Sequence, residues 1–274
     1  MLNSKFPKVT CTMVTNGRCK YIKKSIQCYL QQTYSNKELV IVSQGNKEQN
    51  EIINDYINSI KRNDIFFTTV MPDLNLGTMR NLSVDLSQGD IICQWDDDDL
   101  YHPDRIITQY KNIRQNSNRV ACAYCDFIKY YETTREAYWC DWSGERNLSG
   151  KFLPGSIMFH KKVFGMFSSF YPQKGNQCHV EEDLNVINKL LEKGEIGSIW
   201  AGWNYIYVYH GDNTYDLNHH NWTLDTSSGK KVFSVDDLLV RKNLIDNTFN
   251  LVDIGDSVKV RSKERLAFNY EKCN

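Results

Sequence analysis

The chain of 274 residues contains no apolar run of the roughly eighteen residues that a membrane-spanning helix needs, so no transmembrane segment is expected. It also lacks an N-terminal charged segment followed by an apolar core and a small-residue cleavage site. A soluble, cytoplasmic protein is the expectation. An excess of one charge is missing too: 33 Lys and Arg stand against 33 Asp and Glu. That balance excludes the broad basic field of a nucleic-acid binder, and no acidic tail is present. The cysteines form no disulfide framework, being nine in number and irregularly spaced, and reduced, buried thiols are expected. Cys122 and Cys125 have metal spacing but no second pair, and they sit in an apolar, aromatic run, which argues against zinc. There is no internal repeat and no low-complexity tract.

What the chain does have is a dense acidic run, Gln94-Trp95-Asp96-Asp97-Asp98-Asp99-Leu100. Like charges held close oppose one another's ionisation, and a divalent cation with oxygen ligands removes that penalty. The same run could be a solvated turn, where Asp is at home. Its context favours the first reading. An apolar strand (Ile91–Trp95) precedes it and a helix start (His102-Pro103-Asp104-Arg105) follows, which places the carboxylates at a strand end, where open α/β sheets bind ligands.

Along the chain, β-branched and apolar stretches at Val9–Val14, Leu39–Val42, Ile65–Val70 and Ile91–Trp95 read as strands. Helical spacing of apolar residues separates them, at Tyr21–Gln31, around Ile52–Ile60, and from about Thr78 to Leu86. This alternation predicts an α/β, Rossmann-like, doubly wound and mostly parallel sheet. A helix carrying Ile106, Ile107, Tyr110 and Ile113 follows, and then the character changes. Aromatic strands are expected at Val120–Tyr131, Glu136–Trp142, Ser156–Phe159 and Trp200–Tyr209, with a helix opened by Glu181-Glu182-Asp183. Acids in its first turn suit the helix dipole, which is a structural reading of all three. His219 and His220 read as a polar loop without chemistry, residues 226–231 as a linker, and the remainder as a small appended element. The expected division is a catalytic domain over 1–222, with a nucleotide-binding half to about residue 100, and an extension over 223–274.

In order, Thr15-Asn16-Gly17-Arg18, Gln31-Gln32-Thr33-Tyr34, Glu38–Val42, Gly77…Arg80-Asn81, Gly89-Asp90-Ile91, the acidic run with Pro103-Asp104-Arg105, and Glu182-Asp183 resemble the family 2 glycosyltransferases. The resemblance covers about residues 8 to 213. It implies a GT-A fold, with a smaller mixed sheet on the acceptor side, and a nucleoside-diphosphate sugar as donor, a UDP-sugar first. Mn2+ or Mg2+ would be the cofactor, and a glycan, lipid-linked or protein hydroxyl the acceptor. It also implies transfer with inversion. Homo-oligomerisation is left open.

Residue by residue, the resemblance implies that Thr15, Asn16, Arg18, Gln44, Arg80, Asp96 and Asp97 contact the donor. Asp98 would bind the metal, with Asp96 and His210 as further ligands and Asp99 as a helix-capping member. Asp183 would be the base and Glu182 would help orient the acceptor. Where the family has Asp-Asp-Gly-Ser after its second strand, this chain has Ser43-Gln44-Gly45-Asn46, and the amide of Gln44 can still both accept from and donate to a base. Trp139, Trp142 and Trp203 are candidates either for stacking on a sugar or for core packing, and Gly155-Ser156 for the loop beside the donor sugar. Two rivals remain. A nucleotidyltransferase would want a richer Gly and Lys/Arg loop than Asn16-Gly17-Arg18, and an inactive binding module would explain the missing carboxylates at Ser43 and Gln44.

Overall fold

The structure is a computed structural model and describes residues 6–142, 149–178, 182–225, 235–252, 254, 257–262 and 265–271. The first half alternates β1 (Val9–Thr15), α1 (Cys19–Leu30), β2 (Lys37–Ser43), α2 (Lys47–Ile60), β3 (Ile65–Thr69), α3 (Leu76–Asp85) and β4 (Ile91–Gln94). β5 (Leu100–Tyr101), α4 (Arg105–Ile113), β6 (Arg119–Tyr124), β7 (Asp126–Tyr131) and β8 (Glu136–Asp141) follow. Then come β9 (Met158–His160), α5 (Lys161–Phe164), α6 (Glu182–Lys193), β10 (Glu195–Ile199), β11 (Tyr205–Tyr209) and α7 (Leu217–Asp225). The C-terminal part holds α8 (Val235–Leu251), β12 (Ser257–Ser262) and β13 (Arg265–Glu271).

Two sheets result. The larger has seven strands in the order β10-β6-β9-β4-β1-β2-β3, parallel except for β9, which runs antiparallel to both its neighbours. β1 and β2 are buried along their whole length, as strands covered on both faces are, which is why they show no alternation of apolar with charged residues in their centres. α1 covers them with Ile22, Ile26 and Tyr29, one stripe of a 3.6-residue period. The smaller sheet is mixed, in the order β13-β12-β8-β7-β11-β5, and β12 and β13 extend it through the parallel pairing of β12 with β8. No helix among the described residues is long and apolar enough to cross a membrane.

The turns after β1 and β2 lie against each other. Gly17 adopts φ +78°, and a Cβ there would sit 2.9 Å from the Gly45 Cα. Beside it Asn46 caps α2, accepting from the Gln49 N–H while the Gln49 side chain accepts from the Asn46 N–H, a reciprocal capping box. Gly17→Ala should therefore lower the free energy of urea unfolding by about 1–2 kcal/mol, the usual cost of a left-handed alanine, before any contact with Gly45.

The expected elements of the first half are present with ends shifted by at most two residues, except that α2 starts at Lys47, five residues before Ile52. Differences lie in the second half. The strand expected from Trp200 starts at Tyr205, because Gly202–Asn204 forms a 3-10 turn, and that expected from Ser156 starts at Met158, after a similar turn over Pro154–Ser156. β10 has no counterpart among the expected strands: it is short, contains Gly197 and carries only two apolar side chains, Ile196 and Ile199, too widely spaced for a clear strand signal. His219 and His220 lie on α7 rather than in a loop, since the Asp216 side chain accepts from the His219 N–H at 2.9 Å and starts the helix. The helix expected from Glu181 begins, as described, at Glu182, and Glu181 and the linker 226–231 fall outside the described residues.

Candidate active site

The acidic run leaves β4 at its carboxyl end, next to the end of β1. Here the strand order reverses, with β2 and β3 on one side of β1 and β4 on the other. A cleft of about 470 Å3 opens at this point, as expected for a sheet of this kind. Every expected site residue except His210 lines it, and His210 joins through Asp98.

The four carboxylates face different partners. Asp96 pairs with Arg80 Nη2 at 3.0 Å, and its backbone N–H donates to the Tyr101 hydroxyl. Asp97 is buried and accepts from Thr15 Oγ1 at 2.5 Å and from Arg18 Nη2 at 2.5 Å. Asp98 accepts from Arg18 Nη1 at 2.6 Å and meets His210 Nε2 at 3.2 Å. Asp99 accepts from the Tyr205 hydroxyl at 2.7 Å and the Val208 N–H at 2.9 Å. Asp99 thus anchors β11 and caps no helix, contrary to expectation, because its side chain turns toward the second sheet.

These surroundings separate the acids. Burial, helped by the Asp98 charge, pushes Asp97 up to about 6 against the pull of Arg18. Burial alone would raise Asp98 as well, but the His210 hydrogen bond and the Arg18 charge outweigh it and hold Asp98 below the usual carboxylate range. Burial and the charges of Asp98 and Asp96 push Asp99 well above the usual carboxylate range.

Across the cleft, α6 presents its first turn. Glu182 is buried against Arg80 Nε at 2.8 Å, so Arg80 ties α6 to the acidic run. Asp183 borders the cleft, and its Oδ1 accepts from the Leu184 N–H at 2.8 Å. Burial, then the neighbouring Glu182 charge, pushes Asp183 up to about 7, with Arg80 acting the other way. Removing one partner of a buried ion pair leaves the other charge uncompensated. Arg80→Met should therefore cost about 3–5 kcal/mol of stability in a chemical-denaturation measurement.

The residues present suit a hard divalent ion. Among the described residues no cluster of three or more His, Cys, Asp or Glu forms a complete ligand set. One ionised carboxylate can suffice when diphosphate oxygens supply the remaining ligands, and Asp98 is the member of the run held below the usual carboxylate range. His210 steadies it: its ring stacks on Tyr21 with centroids 3.8 Å apart, and its Nδ1 accepts from the Asp212 N–H, which leaves the proton on Nε2, toward Asp98. Asp96 is directed to Arg80 instead. Beside Thr15 and Asn16 in the cleft, Gln44 Oε1 is buried without a hydrogen-bond partner.

Several contributors were not singled out from the sequence. Tyr101, Tyr205 and Asn213 position the acidic run, and Tyr21 positions His210. Only the turn His210-Gly211-Asp212-Asn213 carried a local signal, since an Asn in a turn often bonds nearby backbone, as its side chain does to the Val208 carbonyl. Gly155 does approach the site: a Cβ there would lie 2.7 Å from Asp96 Oδ2. Trp139 is buried in the main core with Trp203 packed against that core. Trp142 is buried too, but borders an adjoining chamber of about 270 Å3 that shares Asp183 with the cleft. Cys122 and Cys125 are buried free thiols.

The model of the glycosyl transferase family 2 matches residues 10–171, more than half of the chain. A glycosyltransferase of Haemophilus influenzae is 34% identical over 131 residues, which are 45% of this chain and 51% of that protein. One of Methanocaldococcus jannaschii is 34% identical over 113 residues, 40% of this chain and 38% of its own. The chain thus spans about half, or less, of the length of these relatives. Among solved structures, a Pyrobaculum calidifontis mannosyltransferase in complex with GDP-Man and Mn2+ aligns with TM-score 0.58 at 13% identity, covering 88% of this chain and 65% of that one. Staphylococcus aureus TarS 1–349 in complex with UDP-GlcNAc aligns with TM-score 0.56 at 11% identity, covering 89% and 72%. With the GT-A arrangement of its two sheets and this family match, the chain belongs to glycosyl transferase family 2.

Proposed function

We propose that the protein transfers a sugar from a nucleoside-diphosphate sugar to an acceptor hydroxyl, assisted by Mn2+ or Mg2+. One observation carries this reading: Asp98, kept ionised, and Asp183, raised to about 7, border the same cleft at the switch point of the sheet. A carboxylate of that basicity is suited to taking a proton near neutral pH. Thr15, Asn16 and Gln44 would receive the nucleoside, with Gln44 Oε1 accepting from an imide N–H such as that of uracil. Asp98 would hold the metal ion, which when bound stabilises charge on the leaving diphosphate. Asp183 takes the proton of the acceptor hydroxyl as its oxygen bonds to the anomeric carbon. The bond from that carbon to the diphosphate breaks on the opposite face, releasing the nucleoside diphosphate with inversion. Arg80 keeps Asp96 and Glu182 in place on the two sides.

The nucleotide-sugar complexes of the similar structures support the donor class, and the family match supports the reaction class. The test is a thermal-shift panel of nucleoside diphosphates and nucleotide sugars with and without Mn2+, followed by an assay of nucleoside-diphosphate release. Release of pyrophosphate instead, or no Mn2+-dependent shift with any member, would refute it.

A further inference from the structure

The chemistry above leaves one buried basic pair unused. Lys129, on β7, has no solvent exposure; its ammonium lies 3.4 Å from the centroid of the Tyr207 ring and contacts Nδ1 of His220. His220, on α7, is equally buried, and its ring packs against those of Tyr207 and Tyr209, with centroids 5.1 and 4.7 Å away. Burial pushes Lys129 down to about 7, but its nitrogen keeps N–H donors as ammonium or as amine; with Nδ1 accepting one of them, the ring proton resides on Nε2. Burial and the Lys129 charge push His220 down to about 3, which keeps the ring neutral.

The Nε2–H is buried and has no hydrogen-bond partner, yet His220 stands in the wall of the cleft with Asp98 and Asp183. A buried N–H without an acceptor opposes folding, so such groups are found where something else satisfies them. Tyr207, on which His220 packs, borders both the cleft and the adjoining chamber, and so does Asp183. Their junction is where the transferred sugar must lie if Asp98 serves the diphosphate and Asp183 meets the acceptor. A neutral donor matches a hydroxyl oxygen, whereas the charge of the diphosphate is met, in the proposed function, by the metal ion.

We propose that His220, its tautomer set by Lys129, is a donor-sugar-binding residue whose Nε2–H donates to a hydroxyl oxygen of the transferred sugar; this rests on the nucleotide-sugar reading above. The two nitrogens can be separated by mutation. Asn at 220 keeps an acceptor near the Nδ1 position for Lys129 and removes the Nε2 donor, and Gln places an amide donor near Nε2.

Wild type, His220→Asn and His220→Gln are titrated calorimetrically, with Mn2+, against UDP-GlcNAc, UDP-glucose, UDP-galactose, GDP-mannose, UDP and GDP. For the nucleotide sugar bound best, His220→Asn should weaken binding by about 5–10-fold, the worth of one hydrogen bond. The matching nucleoside diphosphate should change less than about twofold, and His220→Gln should recover most of the loss. Equal loss for sugar-bearing and sugar-free ligands, or no loss at all, overturns the assignment while leaving the proposed function standing. If wild type binds none of the six, the proposed function falls and this assignment with it. Long-range 1H–15N spectra of the ligand-free protein supply a second check: a ring protonated on Nδ1 instead of Nε2 also overturns it.

Discussion

Asp183→Asn should cut turnover by about 10^2–10^4-fold, the range general-base catalysis supplies, while the protein becomes more stable. Both effects come from one environment. Burial and the adjacent Glu182 charge raise Asp183 to about 7, which makes it a competent base and at the same time a poorly tolerated charge. Because its folded value lies above its unfolded one, the folded state keeps a proton that the unfolded chain gives up. Stability therefore falls as pH rises from about 4 to about 7, and above that the full penalty of the ionised group is present. Asn removes the penalty, so its thermal midpoint at pH 8 should exceed that of wild type by a few degrees, since about 1 kcal/mol corresponds to 2–4 °C for a protein near this size. The wild-type rate should fall as pH drops through about 7, whereas an ordinary Asp would hold it to about 4. Near-normal turnover of the Asn variant, or a rate flat down to pH 5, would remove Asp183 from the base role.

Asp98→Asn should lose turnover by about 10^2–10^3-fold, comparable to removing one preorganised electrostatic contact from a transition state. Mn2+ affinity, followed by electron paramagnetic resonance in the presence of UDP or GDP, should fall at least about tenfold. The contrast with Asp99→Asn, one residue along the same acidic run, makes the experiment specific. Asp99 is turned to the second sheet, where its oxygens accept from the Tyr205 hydroxyl and the Val208 N–H, and an amide can keep both contacts there. Asp99→Asn should therefore retain Mn2+ binding. If both variants lose Mn2+ equally, the ion is bound by the charge of the run as a whole and Asp98 has no special place. Arg18 remains paired with Asp97 in the Asp98 variant, so loss of the fold is not expected to confuse the result.

The first half of the larger sheet was legible because β1, β2 and β4 are buried along their length: apolar cores such as Leu39–Val42 in β2, separated by helices with a buried stripe such as Ile22, Ile26 and Tyr29, leave few other arrangements. The acidic run, Arg80, and Glu182-Asp183 were legible as candidates because each is a compact charged motif at the end of such an element. The second half resisted. β10 is short and interrupted by Gly197, and α7 depends on a cap at Asp216 for a segment whose pattern is otherwise polar.

Local order along the chain, then, determined the fold class, the family and the set of charged residues to watch. The division of labour among those residues was decided only by tertiary contacts. Nothing in four consecutive Asp residues says that Asp97 meets Thr15 and Arg18, Asp98 meets His210, and Asp99 meets Tyr205, partners 82, 112 and 106 residues away in the case of Thr15, His210 and Tyr205. Ionisation depends on burial and on charges a few ångströms off, and those distances exist only once both sheets have closed around the cleft.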